Sequence, residues 1–344
     1  MSSLLKVQAK NRRLVNFEPN ACQQRIYKTI FEQQEAGRPV RILELKGRQQ
    51  GSSTGIGAYC FMRTICESNT NALIITEEKS GSANNIFQMY KRFLNNLPFD
   101  LELERTREGQ LLKFPEPLGS QLKVEGEKNI TSFTFQLVHL SEAAFFSNLK
   151  STLAMLYQTV PDDPSTCIIL ETTANAAGDD FATEWQRAID EQSDFTALFI
   201  PYFVMSEYAK PFDDEGQKEQ FLDHIMNGGD NRYGDERKVY ETYQAEGMTL
   251  ENMNWRRNAI RNRCQGSLHE FNRQYPQSWE EAFQTSGNNV FDLGVITTWL
   301  KEVKDPPMKG AFNKGIHGVE FKESHDGIVN IWEPPDVAKE YVIG

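Results

Sequence analysis

No run of apolar residues in this 344-residue chain approaches the ~20 needed to cross a bilayer as a helix. The opening segment MSSLLKVQAKNRRL has basic clusters but neither an apolar core nor a small-residue cleavage site, so it predicts no signal peptide. Cysteine is sparse. Cys22, Cys60, Cys66, Cys167 and Cys264 are odd in number and scattered, with no C-x-x-C pair. That argues against a zinc site or a disulfide framework and suits a reducing compartment. The five histidines show no metal-ligand spacing either, and His139 reads as a packed core residue. Positive charge is short as well. A net charge of −11 excludes DNA binding by bulk basic charge, though a local basic patch remains open. Repeats and low-complexity tracts are also missing. What remains is 39% hydrophobic and 25% charged, a globular composition long enough for one sizeable core and a smaller unit.

Strand and helix patterns alternate along the first 200 residues. A helix is expected over Asn20–Ala36, stopped by Gly37 and Pro39. Strand Val40–Leu45, helix Ser53–Glu67, strand Ala72–Thr76 and an amphipathic helix over Ser80–Leu97 follow. Leu111–Phe114 and Gln121–Val124 read as a hairpin pair. Strands Phe133–Leu140, Cys167–Leu170 and Phe195–Ile200 are separated by helices at Leu149–Thr159 and Asp180–Gln192. This alternation predicts a mainly parallel sheet sandwiched by helices, with its ligand at the carboxyl ends of the strands. Lys46, Glu142 and Glu171 all fall there. The expected division is a core at residues 1–205, a small helical lid at 206–285 anchored by Trp255, and a linker at 286–344. The linker contains a helix at Gly294–Val303 and a hairpin turning at Asp326-Gly327.

The most informative stretch is Val40–Thr54, VRILELKGRQQGSST. An apolar strand, a glycine loop and a helix opening on small hydroxyl residues form the layout that cradles phosphates. Against the usual G-x-x-x-x-G-K-[ST] pattern, Gly51 matches the second glycine and Ser53 the magnesium-binding hydroxyl. Ser52 stands where the lysine should be, and Lys46 occupies the first-glycine position. An ordinary Gly/Ser turn is the competing reading. Downstream, FTFQLVHL ends in Ser141-Glu142. In phosphate-loop ATPases such a strand delivers one acidic residue to the metal and a second to the attacking water. Glu142 fits the second role. Ser141 stands in the metal position, where its hydroxyl could hold a metal-bound water.

These stretches, with ALIITEEKSGSANNIFQMYKRF (Ala72–Phe93), ILETTANAAGDDF (Ile169–Phe181) and FNRQYPQSWEEAFQTSGNNVF (Phe271–Phe291), resemble the ATPase portion of a tailed-bacteriophage terminase large subunit, the DNA-packaging motor. In that family a lysine at the start of the phosphate loop is tolerated. The resemblance implies a RecA-like (ASCE) phosphate-loop α/β fold that uses ATP and Mg2+. It implies double-stranded DNA, the portal protein, the small terminase subunit and further copies of the chain as partners, all in the host cytoplasm.

Carried onto this sequence, the resemblance makes Lys46, Gly47, Arg48, Gln49, Gln50, Gly51, Ser52, Ser53 and Thr54 the phosphate loop. Arg48 becomes a charge-stabilising arginine acting in cis. Gln23 resembles an adenine-reading glutamine, its amide suited to the base, with Gln24 as alternative and an exposed helix glutamine as the bland reading. Thr172, Thr173 and Asn175 resemble the segment coupling hydrolysis to motion, against a plain helix N-cap. The arginine that such motors place before the acidic strand is missing. Lys128 is the nearest match, a weaker point charge acting in trans.

The final Tyr341–Gly344 resembles the first strand of the nuclease that follows the ATPase in this family, which leads to the expectation of a truncated chain without nuclease carboxylates. Two other classes stay open: a nucleotide-binding assembly module that has lost hydrolysis, and another DNA translocase or helicase ATPase. The segment Tyr275–Phe283 speaks against the latter.

Overall fold

The computed structural model describes residues 4–77, 81–106, 109–127, 133–175, 178–284, 306–315 and 318–331. It divides into two compact units, Met1–Asn288 and Asn289–Gly344.

The first unit opens with a short hairpin, β1 (Lys6–Gln8) and β2 (Leu14–Asn16), which the sequence reading does not contain. Helix α1 (Ala21–Glu35) starts on a capping box, in which Asn20 accepts from the Gln23 N–H and Gln23 accepts from the Asn20 N–H. Strand β3 (Val40–Lys46) is buried at every position, as a strand covered on both faces must be. Helix α2 (Ser52–Cys66), strand β4 (Asn71–Thr76) and helix α3 (Ser82–Asn95) follow. The expected hairpin is β5 (Leu111–Lys113) against β6 (Gln121–Gly126). Then come β7 (Leu137–Ser141), α4 (Leu149–Thr159), β8 (Cys167–Thr172), α5 (Asp180–Ile189) and β9 (Thr196–Ile200).

These seven strands form one sheet in the order β5-β6-β4-β7-β8-β3-β9, parallel except for β5 at one edge. The phosphate-loop strand β3 and the acidic strand β7 are therefore not neighbours, because β8 lies between them. This is the RecA-like arrangement expected. Successive residues of β3 serve different faces. Val40 and Ile42 join the core with α1, α2 and α3, while Leu43 and Leu45 join a second core with α4 and α5.

After β9 the chain is helical: α6 (Glu215–Met226), α7 (Glu236–Tyr243), α8 (Leu250–Asn262), α9 (Leu268–Gln274) and α10 (Trp279–Gln284). Trp255 sits among Tyr202, Tyr208 and Tyr275, with ring centroids 5.4, 4.6 and 5.2 Å away. Met253, Trp255 and Phe271 belong to the same buried core as α1 and α2, and all of 206–285 lies in the first unit.

The second unit is a three-stranded antiparallel sheet of β10 (Met308–Gly315), β11 (Gly318–Glu323) and β12 (Val329–Ile331), ordered β11-β10-β12. A turn does occur before β12, closed by the Gly327 N–H on the Ser324 carbonyl at 3.1 Å. The strand after it pairs with β10 rather than β11, so the pairing partner implied by the Asp326-Gly327 hairpin is corrected. A turn dipeptide says that the chain reverses, not which edge it returns to. The expected helix at Gly294–Val303 and strand at Tyr341–Gly344 lie outside the described residues.

Candidate active site

The loop after β3 carries two left-handed residues, Gln49 (φ 58°) and Gly51 (φ 81°). Gly51 caps α2 with no side-chain hydrogen bond, so the first-turn N–H groups have no side-chain cap and point where an anion would sit. The loop is tied down from outside. The Arg48 N–H donates to the Gln274 carbonyl (2.9 Å), and the Tyr208 hydroxyl donates to the Arg48 carbonyl (2.8 Å). The Gln50 amide donates to the Pro201 carbonyl (3.2 Å) and lies buried. A Cβ on Gly47 would meet the Gln274 carbonyl at 3.2 Å, which favours glycine at that crossing. The Gln23 amide nitrogen donates to the Gly51 carbonyl (2.8 Å) while its oxygen caps α1, so both ends of this buried amide hold the scaffold. Gln24 is exposed and donates to the Pro19 carbonyl.

Below the loop lies a buried charge cluster. Ser52, at the usual lysine position, is buried, and its hydroxyl donates to Glu44 beside the Cys22 sulfur. It is turned into the core and does not line the cleft of Lys46 and Glu142. Ser53 instead donates to Glu171 Oε1 at 2.6 Å, and Ser141 donates to the same oxygen at 2.7 Å. Lys46 Nζ lies 3.0 Å from Glu171 Oε2 and 3.8 Å from Glu142 Oε1. Thr54, the next residue along α2 after Ser53, is half-buried. His139 is a buried core residue as expected, and its Nε2 faces Glu171 Oε1 at 3.7 Å.

The titration behaviour follows from these neighbours. Burial works against a charge on Lys46, but Glu171, Glu142 and Glu44 outweigh it and hold the ammonium charged. Burial alone would raise Glu171; Lys46, His139 and the Ser53 hydroxyl win and keep it well below the usual carboxylate range. Glu44 sits next to Glu171 across β3 and β8 and is pushed up to about 8, by burial first and by Glu171 as well, against the pull of Lys46. One lysine cannot neutralise two buried glutamates, and the proton goes to Glu44.

Glu142 occupies the turn after β7 with a left-handed backbone (φ 58°), an uncommon conformation for a residue with a Cβ, and strain of this kind concentrates at functional sites. The turn aims its carboxylate at the cleft, where it is about a third exposed (35%) and accepts from the Thr173 N–H at 3.4 Å. Burial raises its pKa. The segment after β8 clasps this turn. The Thr172 hydroxyl accepts from the Ala144 N–H (3.2 Å), and the Asn175 amide donates to the Ala144 carbonyl (3.2 Å). The Glu142 turn and residues 172–175 are thus joined by these three hydrogen bonds.

Lys46, Arg48, Gln49, Glu142 and Thr173 line one cleft of about 270 Å³, with Glu77 and Phe145. A larger cleft of about 810 Å³ lies at the opposite, amino ends of the strands, near Pro39 and Phe195, and has no phosphate-type loop. Lys128 lies outside the described residues. The sequence reading assigned no role to Glu171 or Glu44. The signal for Glu171 was present: CIILET, like FTFQLVHLSE, is an apolar run ending in an acid.

Among the described residues, no group of three or more His, Cys, Asp or Glu side chains is placed to hold a metal on its own. A nucleotide-bound Mg2+ does not need one, because phosphates and water supply most of its oxygen ligands. The hydroxyls of Ser53 and Ser141 around a carboxylate oxygen are a hard donor set that fits this ion.

No protein-family model matches the chain, and no curated protein is similar enough to match it. Solved structures do. The chain is similar to the HK97 bacteriophage large terminase at 13% identity and a TM-score of 0.50, covering 88% of this chain and 58% of that one. It is similar to the large terminase of a thermophilic bacteriophage in complex with ADP at 11% identity and a TM-score of 0.41, covering 59% of this chain and 49% of that one. The Thermus phage P74-26 large terminase ATPase domain matches at 14% identity and a TM-score of 0.35, over 61% of this chain and 94% of that one. The chain thus spans about half the length of the first two of these proteins. At these identities the likeness concerns architecture, and the fold of this chain is the one seen in the HK97 bacteriophage large terminase.

Proposed function

We propose that this chain is an ATP hydrolase of the large-terminase kind, the ATPase portion of a motor that moves double-stranded DNA into a procapsid. The observation that carries the reading is Lys46 and Glu142 meeting at 3.8 Å in the cleft, at the ends of two strands separated by β8. Lys46 would leave its carboxylates for the phosphate oxygens, doing from the loop's start what Ser52 cannot do from its end. Glu142 would take a proton from, and orient, an attacking water. Arg48 reaches the same cleft as a second cation for developing charge. Mg2+ bound with the nucleotide would neutralise phosphate charge, with Ser53 as its hydroxyl ligand and Ser141 beside it. Thr172, Thr173 and Asn175 would relay a change at Glu142 to the rest of the chain.

The partners that go with this reading are the portal protein, the small terminase subunit and further copies in a ring, in the host cytoplasm. Lys128 would act on a neighbour's nucleotide. The deciding experiment is steady-state ATP turnover by the purified chain with Mg2+, with and without linear double-stranded DNA. Slow turnover that rises with DNA supports the reading. Nucleotide binding without turnover in either condition refutes it and favours a hydrolysis-deficient module.

A further inference from the structure

We infer that Glu171, not Ser141, supplies the carboxylate of the magnesium site, and that Lys46 holds that carboxylate until nucleotide and metal arrive together. The inference rests on the ATPase reading and adds a residue and an order of events to it.

Ser141 occupies the place on the acidic strand where a carboxylate is usual, and a hydroxyl brings no charge to a divalent ion. The missing charge lies one strand over. In the register of the sheet, Glu171 on β8 is paired with Ser141 on β7 on one side and with Glu44 on β3 on the other. Its Oε1 receives hydrogen bonds from Ser53 and Ser141 together, the two hydroxyls assigned to the metal. A single carboxylate oxygen therefore already gathers both hydroxyls that would hold the ion. Two of the neighbouring acids are engaged elsewhere. Glu44 takes the Ser52 hydroxyl under the loop, and Glu142 lies against the Thr173 N–H at the cleft mouth.

The second oxygen explains the role of Lys46. Glu171 is fully buried, and among the described residues its Oε2 accepts no hydrogen bond in the usual geometry; the cation beside it is the Lys46 ammonium at 3.0 Å. When phosphates draw Lys46 toward the cleft, Glu171 loses its closest cation and keeps only the His139 ring, 3.7 Å from Oε1, and the two serine hydroxyls beside it. Such a state is strongly disfavoured unless another cation replaces the first. Nucleotide alone must therefore strip Lys46 from Glu171, whereas nucleotide with Mg2+ exchanges one cation for another.

Two effects of opposite sign follow for Glu171→Gln, an isosteric change that keeps an acceptor for Ser53 and Ser141. It should weaken the metal about 10–100-fold, the usual range for losing a partner behind a metal ligand. It should also tighten ADP binding in the absence of metal, because Lys46 is released. The probe is Mn2+ in place of Mg2+, its bound fraction with ADP followed by electron paramagnetic resonance. Metal-free ADP affinity is measured by calorimetry in chelator. Both effects together support the inference, as does recovery of Mn2+ affinity in Glu171→Gln/Ser141→Asp, which returns a carboxylate to the usual strand. Parent-like Mn2+ affinity in Glu171→Gln overturns it. So does metal-free ADP binding that falls with the Mn2+ affinity, the pattern of simple structural damage. A parent chain that binds neither ADP nor Mn2+ with ADP overturns the ATPase reading, and this inference with it.

Discussion

Lys46→Ala should disable the chain twice, and the two losses can be separated. The first is loss of turnover through the missing phosphate contact. The second is structural, because the ammonium is a buried counter-ion. At 3.0 Å and an effective dielectric of ~20, its attraction to Glu171 is about 5 kcal/mol. Removing one partner of such a buried pair typically costs about 3–5 kcal/mol, since the survivor stays buried and charged. Urea unfolding at about pH 8 should show a loss of that size for Lys46→Ala, and adding Glu171→Gln should return most of it. The pH dependence has a definite sign. In the parent, Glu171 is held below its ordinary value of 4.5, so the contribution of the pair is complete above that value and is lost as pH falls through the lower folded one. In Lys46→Ala, Glu171 escapes by taking up a proton, so the gap from the parent narrows in acid. If Lys46→Ala is within about 1 kcal/mol of the parent at about pH 8, or if Glu171→Gln does not rescue it, Lys46 is not the counter-ion described. Turnover of the rescued double variant then reads the site free of the structural penalty, but without both the phosphate contact and the Glu171 carboxylate. It should remain abolished.

The other expectations are simpler. Glu142→Gln should retain nucleotide and lose turnover by ~10²–10⁴-fold, and a variant above about half the parental rate would remove Glu142 as the water-polarising base. Glu44 keeps its proton in the fold up to about 8, whereas the unfolded chain releases it above the ordinary 4.5, so parental stability should fall as pH rises across that window. Glu44→Gln should flatten the slope in thermal melts between about pH 5 and about pH 9, and an unchanged slope would place the titration elsewhere. Ser52→Ala removes a hydroxyl from Glu44 and should cost about 1 kcal/mol with little effect on nucleotide. Ser53→Ala should act on metal-dependent nucleotide affinity instead. The reverse pattern in binding titrations would restore Ser52 to the phosphate side.

Most of the sheet was legible because its strands are covered on both faces and read as unbroken apolar runs. VRILELK, NALIIT and CIILET are nearly all buried, and the sequence reading placed each within a residue or two. The acidic strand starts later than expected. Residues 133–135 precede β7, and Phe133 is exposed, because an apolar residue beside a strand extends the pattern without extending the pairing. The β1–β2 hairpin was illegible because its strands are three residues long and mostly exposed, too short for any period to show. Within the candidate site, residue type singled out Lys46, Ser53 and Glu142, and the structure places Lys46 beside Glu142 and both Lys46 and Ser53 on Glu171. It could not say that Ser52 turns inward, since that depends on Glu44 lying beneath it, eight positions earlier on a neighbouring element. Nor could it foresee the bonds of Gln23, whose amide suits a base and a cap equally; in the structure it donates to the Gly51 carbonyl and accepts from the Asn20 N–H.

The segment after β9 carries the least residue-specific signal, and the structure gives a reason for that. Its hold on the loop after β3 runs through two main-chain carbonyls and one tyrosine hydroxyl. The carbonyls of Gln274 and Pro201 accept from the loop, and the Arg48 carbonyl accepts from Tyr208. A carbonyl can be offered by any residue, so such contacts constrain the path of the chain rather than its composition. What must be fixed is the packing that presents those carbonyls. Tyr208, Trp255, Phe271 and Tyr275 provide it as one aromatic group behind the loop, with Tyr208 and Tyr275 meeting at 5.5 Å. The loop bearing Arg48 is thereby joined to α8 and α9 by bonds that cannot lengthen without being lost. A displacement of the loop by bound phosphate must either be resisted by that aromatic group or carried into it. The helical segment is therefore mechanically coupled to the loop, although none of its residues lines the cleft that Arg48 and Gln49 share with Lys46, Glu142 and Thr173.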